Sequence, residues 1–256
     1  MLNRIFSVDS PKAIKASSYG YLNAIHYMAP AGVAGVGNLC PHASAGCKAL
    51  CLGLTSGQAG MVKDIDSDQD QGNSVRASRK AKAVRFMRQR HGYMRDVVRS
   101  INNLVAKARR ENLMLCVRMN GSTDIAWESI RDAKGKTVFD LFPDVQFVDY
   151  TKNPRRMTRQ LPANYHLTFS RSETNEAVAE TLLDLGHNVA VVFAKAKPHT
   201  WRGYTVVDGD THDLRHLDPK AGSITNGHSM SLGGYVIGLS PKGRKAKADT
   251  SGFVVR

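Results

Sequence analysis

From Leu113 onward the chain alternates short apolar runs with helical segments, and this rhythm constrains the fold more than any other feature. LMLCVRMNG (113–121), VQFVDYT (145–151), NYHLTFS (164–170) and NVAVVFA (188–194) read as strands, with YTVVDGD (204–210) and GSITN (222–226) as shorter ones. YGYLNAIHYM (19–28) supplies a strand upstream. The intervening DIAWESIRDA, NPRRMTRQL and ETNEAVAETLLDLG (173–186) read as helical. Strand–helix alternation over this length implies right-handed βαβ units around a mostly parallel sheet. Six or seven strands suit a partial (β/α) barrel of an α/β protein better than a closed eight-stranded one; a doubly wound sheet is the alternative. The 256 residues, 42% of them apolar, are expected to form one α/β domain over 1–256. That domain would carry a cysteine loop (38–53), a long basic helix (75–110) and a short basic C-terminal tail, KGRKAKA (242–248).

Each strand is followed by polar residues. Asn120, Gly121, Ser122 and Asp124 follow the strand at 113, then come Thr151 and Lys152, then Ser170 and Arg171, then Lys195 and Lys197, then Asp208 and Asp210. In parallel α/β folds the carboxyl ends of the strands form the binding face. Loops and helix caps are polar in any case, but five such clusters in succession favour a site. Along 114–120 strict alternation places Met114, Cys116, Arg118 and Asn120 on one face, away from the apolar Leu115, Val117 and Met119. Arg118 would then point inward and hold a carboxylate, of the protein or of a ligand. The candidate ligand-binding set is Arg118, Asn120, Gly121, Ser122, Asp124, Thr151, Lys152, Ser170 and Asp208.

Three of the four cysteines, Cys40, Cys47 and Cys51, fall in a C-x6-C-x3-C pattern. Thiolates are soft ligands suited to zinc and iron–sulfur clusters. A zinc site of four ligands commonly comes as two close pairs, whereas three cysteines on a four-iron cluster leave one iron open. The expected metal ligands are therefore Cys40, Cys47 and Cys51 on a [4Fe-4S] cluster. Zinc, with His42 as co-ligand, is the alternative. Cys116 is either a fourth ligand or an ordinary buried thiol.

The formal net charge of +14 attracts polyanions, and nucleic acid is the expected partner. Between Arg76 and Arg110 the chain carries twelve Lys and Arg against one acid, Asp96, with apolar residues from Val84 to Val105 at helical spacing and a possible break near Gly92. Such a helix can neutralise several phosphates, and Arg76, Arg79, Lys80, Lys82, Arg85 and Arg88 are the candidate contacts; a solvated helix on a basic protein is the plainer reading. No run of eighteen apolar residues is present, so no membrane span is expected. MLNRIFSVDSPKAIK lacks the apolar stretch of a secretory signal, which makes the cytoplasm the expected location.

NLCPHASAGCKALCLG, VRMNGSTD, FVDYTKNP, NYHLTFSRS, DGDTHDLRHLDP and IGLSPKG, spread over about residues 20–243, resemble the phage "gene product eighty-eight" family. The resemblance implies a viral origin and hence the host cytoplasm. More distantly, the layout is similar to radical S-adenosylmethionine (SAM) enzymes, which place three cysteines after the first strand of a partial barrel. That similarity implies a [4Fe-4S] cluster with SAM as a second cofactor, its amino group received by NGSTD (120–124). Three readings follow: a radical-SAM-like enzyme acting on nucleic acid, a non-catalytic iron–sulfur or zinc protein that binds nucleic acid, and a viral host-takeover protein acting through protein contacts.

Overall fold

The computed structural model describes residues 4–9, 14–223 and 233–256. In chain order the elements are β1 (Phe6–Ser7), β2 (Tyr21–His26), α1 (Ala45–Ala49), α2 (Leu52–Thr55), α3 (Ser74–Arg88), α4 (Arg90–Arg110), β3 (Met114–Arg118), α5 (Val138–Leu141), β4 (Gln146–Thr151), α6 (Pro154–Met157), β5 (Tyr165–Ser170), α7 (Glu176–Asp184), β6 (Val189–Val192), β7 (Thr200–Trp201), β8 (Tyr204–Asp208), β9 (Val236–Leu239) and α8 (Gly243–Lys247). This is a mixed α/β fold with a multi-stranded, mostly parallel sheet. The chain divides into two compact units. The first comprises Met1–Pro41, Cys51–Asp149 and Gln160–His166; the second comprises His42–Leu50, Tyr150–Arg159 and Leu167–Arg256.

In the first unit β2 lies between β1, antiparallel with Phe6 opposite His26, and β3, parallel with Tyr21 opposite Met114. β3 pairs in parallel with β4, Cys116 opposite Gln146. The basic segment forms two helices rather than one. Asn73 caps α3 by accepting from the Arg76 amide at 3.0 Å. Gln89 leaves helical geometry at φ −135°, ψ 49°, three residues before the expected break at Gly92. Tyr93, Val97, Ile101 and Ala108 of α4 are buried, and their spacing places them on one helical face. Asn112 at φ 54° turns the chain from α4 toward β3.

The inner faces of α3 and α4 meet the sheet at His26, which is wholly buried. Its Nε2 lies 2.6 Å from the Tyr93 hydroxyl and its Nδ1 2.9 Å from the Met119 carbonyl. The carbonyl can only accept, so Nδ1 carries the proton and Tyr93 donates to Nε2. Phe6 and Trp127 pack on the same ring at 5.6 Å. Burial, reinforced by the Lys82 charge and opposed by the Met119 hydrogen bond, pushes the imidazole pKa down to about 3. The segment DIAWESIRDA contributes only one short 3-10 turn, Trp127–Ser129. The fully buried Trp127 donates Nε1–H to Asn120 Oδ1 at 3.2 Å within the same loop, and its packing on the distant His26 and Phe86 rings overrides local helical preference.

In the second unit β5 pairs with β6, β6 with β9 and β9 with β8, all parallel; β7 and β8 form an antiparallel hairpin. Ala190, Tyr235 and Ile237 centre its core. β9 escapes sequence reading because it has four residues and contains Gly238. A Cβ there would come within 2.9 Å of Val206, so close approach to β8 requires the glycine. Of the strand expected at 222–226, Gly222 and Ser223 lie in or beside a turn and residues 224–226 lie outside the described residues.

Candidate functional site

The two basic helices use their charges differently. On α3, Arg76 is buried, and its guanidinium donates to the carbonyls of Ala59 (2.8 Å), Ser67 (2.7 Å), Gln69 (2.7 Å) and Leu54 (2.9 Å). Arg76 is a staple for the loop that precedes α3, not a surface cation. Lys82 is buried too, with Nζ 3.4 Å from the Ile5 carbonyl; burial, helped by the Arg79 charge, pulls its pKa down to about 8. Arg79 donates to the Gly53 carbonyl and stacks over Tyr27 at 4.6 Å. Lys80 pairs with Asp70 at 3.1 Å and Arg85 with Asp96 at 2.5 Å. Of the six candidate contacts, Arg88 alone is exposed. The expectation that this stretch faces solvent is therefore corrected for Arg76 and Lys82: an α-helix with few apolar side chains buries whatever faces the core, and the paired carbonyls make that tolerable.

On α4, by contrast, Arg95, Arg99, Arg109 and Arg110 are exposed. Spacings of four, fourteen and fifteen from Arg95 place them on the side opposite Tyr93, Val97, Ile101 and Ala108. None of the four, nor Arg88, takes part in an ion pair among the described residues, and Glu111 at the end of α4 is held by Lys107 at 2.8 Å. The face from Arg95 to Arg110 runs about 22 Å at 1.5 Å per residue. Sequence reading chose the N-terminal part of the basic segment; the apolar periodicity of α4 already held the signal for this face.

The strand ends hold the remaining candidates. In the first unit, the Asn120 side chain is an internal hub. Its Oδ1 accepts from Thr123 Oγ1 at 2.8 Å and from the Ile125 amide at 3.0 Å, and its Nδ2 donates to Asp149 at 3.1 Å. Buried Asp149 also accepts from the Asn120 amide at 2.6 Å and the Tyr165 hydroxyl at 2.9 Å. Arg118 donates through Nε to the Asn120 carbonyl at 3.3 Å. Gly121 presses against β2, where a Cβ would fall 2.6 Å from the His26 carbonyl. Ser122 Oγ donates to the Met28 carbonyl at 2.6 Å, and the Asp124 amide donates to Leu39 O at 2.9 Å. In the second unit Lys152 Nζ donates to Ser170 Oγ at 2.7 Å, Thr151 Oγ1 accepts from the Asn153 amide at 3.0 Å, and Asp208 pairs with Lys197 at 2.7 Å. Lys197 also meets Asp210 at 2.9 Å, and Asp210 meets Lys242 at 3.1 Å. Within each unit, then, these polar residues bind one another.

The metal expectation is corrected. Among the described residues, no three His, Cys, Asp or Glu side chains are arranged to hold a metal ion. All four cysteines are thiols. Cys40 is buried, its sulfur accepting from the Ala31 amide at 3.3 Å and donating to the Ser122 carbonyl at 3.6 Å. Cys51 precedes α2 in the same unit, beside Gly53. Cys47 belongs to the second unit, on α1, whose cap is Ser44 Oγ accepting from the Cys47 amide at 3.1 Å. His42 is exposed, and Cys116 lies wholly buried on β3. The [4Fe-4S] cluster is overturned, and so is zinc. Without an open iron the SAM expectation at 120–124 falls as well, and with it the radical-SAM-like enzyme.

What fold and surface define together is a mixed α/β protein with an exposed, unpaired arginine face on a long helix. The chain belongs to the phage Gene product 88 family, whose sequence profile matches residues 5–256. No curated protein and no solved structure matches it, and nothing supports a radical-SAM-like relationship. Among the described residues no helix is long and apolar enough to cross a membrane.

Proposed function

We propose that this protein binds nucleic acid through the arginine face of α4, by phosphate contacts that do not read bases. The observation that carries the reading is the face itself: Arg95, Arg99, Arg109 and Arg110 exposed on one helix, Arg88 exposed at the end of α3, and the acids Asp96 and Glu111 already held by Arg85 and Lys107. Guanidinium groups match phosphate geometry and stay charged at any physiological pH. The net charge of +14 adds long-range attraction. Neutralising about five phosphates releases counterions such that affinity falls roughly 500-fold between 50 and 200 mM salt.

The test is a fluorescence-anisotropy titration of mixed-sequence duplex DNA and single-stranded RNA at those two salt concentrations. The combined variant Arg95→Glu, Arg99→Glu, Arg109→Glu should weaken binding about a hundredfold or more on every sequence alike, because phosphate contacts position without specifying. If the unaltered protein binds neither polymer at low salt, the reading is wrong and an acidic protein surface becomes the partner to seek.

A further inference from the structure

The second unit contains a cavity of about 300 Å³ whose walls include Arg171, Glu176, Trp201, Arg202, Val254 and Arg256. Its three guanidiniums face one carboxylate, and they differ in how fully they are used. Arg171 uses four of its five N–H donors: Nε and Nη2 reach Glu176 at 3.1 and 2.5 Å, and Nη1 donates to the carbonyls of Gly252 (2.5 Å) and Phe253 (3.1 Å). It ties the start of α7 to the C-terminal segment. Arg256 gives Nη2 to the Asp249 carbonyl, and Arg202 gives Nη2 to Glu176 and sets Nε 3.6 Å from Glu180 Oε1, leaving Nη1 free. Both retain further N–H donors. Burial favours the neutral form of Glu176, but hydrogen bonds from Arg171 and Arg202 outweigh it and hold the carboxyl below its ordinary range. Glu176 therefore stays ionised and keeps Arg202 at the cavity.

The backbone adds an independent sign. Arg202 and Gly203 form the two-residue turn of the β7–β8 hairpin, at φ 53° and 84°, with Trp201 opposite Tyr204. Turns with positive φ at both positions favour Asn-Gly or Gly-Gly. An arginine held there against its backbone preference points to work done by its side chain. Its guanidinium carbon lies 5.9 Å from the centre of the Trp201 ring.

Uncommitted guanidinium donors beside an indole and a valine wall suit a phosphate joined to a flat ring. A bare phosphate would leave the apolar wall unfilled. At about 300 Å³ the cavity sits at the lower limit of small-molecule pockets, which favours a mononucleotide over a dinucleotide. We infer that this cavity binds a nucleoside monophosphate, with the phosphate on Arg202 and Arg256 and the base against Trp201 and Val254. The site shares no residue with the arginine face of α4.

The experiment titrates the full chain with AMP, GMP, CMP and UMP, and separately with inorganic phosphate, following tryptophan fluorescence. Trp127, wholly buried in the first unit, gives a constant background. At least one nucleotide should give a saturable change at least tenfold tighter than inorganic phosphate. Arg202→Gly, which suits the turn, should keep the melting temperature and weaken that nucleotide at least tenfold. Arg202→Asn, also at ease at positive φ, serves if the glycine variant unfolds. The proposal is overturned if no nucleotide gives a saturable change, if inorganic phosphate binds as tightly, or if a folded Arg202 variant binds like the unaltered protein. The α4 triple variant should retain nucleotide binding, so failure of one proposal is distinguishable from failure of the other.

Discussion

α3 and α4 are adjacent in sequence and both rich in arginine, yet they spend their charge in opposite ways. α3 turns Arg76 and Lys82 inward, where backbone carbonyls accept from them. α4 turns apolar residues inward and leaves Arg95, Arg99, Arg109 and Arg110 in solvent without counter-ions. A cation that already has partners holds structure; one that has none is available to a ligand. The difference follows from what each helix offers the core. α4 carries an apolar stripe at helical spacing and α3 does not, so the interior of the first unit takes long polar side chains from α3 instead.

The sharpest way to break the comparison is Arg76→Ala. Removing a buried guanidinium leaves four carbonyls to find other partners, and the loss should be roughly 3–5 kcal/mol. Urea unfolding measures it; a change under about 0.5 kcal/mol, the usual range of surface substitutions, would mean that Arg76 staples nothing.

Next in size is the pH response of His26, where Tyr93 of α4 and the charge of Lys82 from α3 both act. Its pKa is depressed from 6.5 to about 3 on folding. The unfolded chain therefore takes up a proton that the folded one refuses. The contribution is complete above pH 6.5 and is lost as pH falls toward 3, at about 1.4 kcal/mol per pH unit. Stability of the unaltered protein minus that of His26→Gln, measured by urea unfolding at pH 7, 5.5 and 4.5, should show this slope. Parallel profiles would place His26 outside the buried, neutral state.

The smallest effect sharpens the other side. Reversing Arg95, Arg99 and Arg109 together should change folding stability by no more than about 0.5 kcal/mol per site, since none has a partner to lose. A loss of several kcal/mol would show that α4 uses its arginines as α3 does.

Much of the fold was legible from residues alone. The strands at 114, 146, 165, 189 and 204 announced themselves through apolar and β-branched runs, and α4 through its stripe. β9 did not, because its contact with β8 needs Gly238, a residue that ordinarily argues against a strand. The cysteine triplet was misread because spacing in sequence says nothing of where a side chain points. Cys40 is held by Ala31 and Ser122, and Cys47 folds with the other unit. The strand-end residues were read as a ligand-binding set, whereas in the fold Asn120 binds Asp149 and its own loop.

By itself the sequence determined what depends on composition and local periodicity: an α/β alternation, a strongly basic surface and a helix with one apolar face. Only the tertiary structure decided which cations stay exposed, whether three thiols converge and which polar strand ends satisfy one another. Burial and hydrogen-bond satisfaction are settled between residues far apart in the chain. Arg76 looks no different from Arg95 until Leu54, Ala59, Ser67 and Gln69 are brought around it.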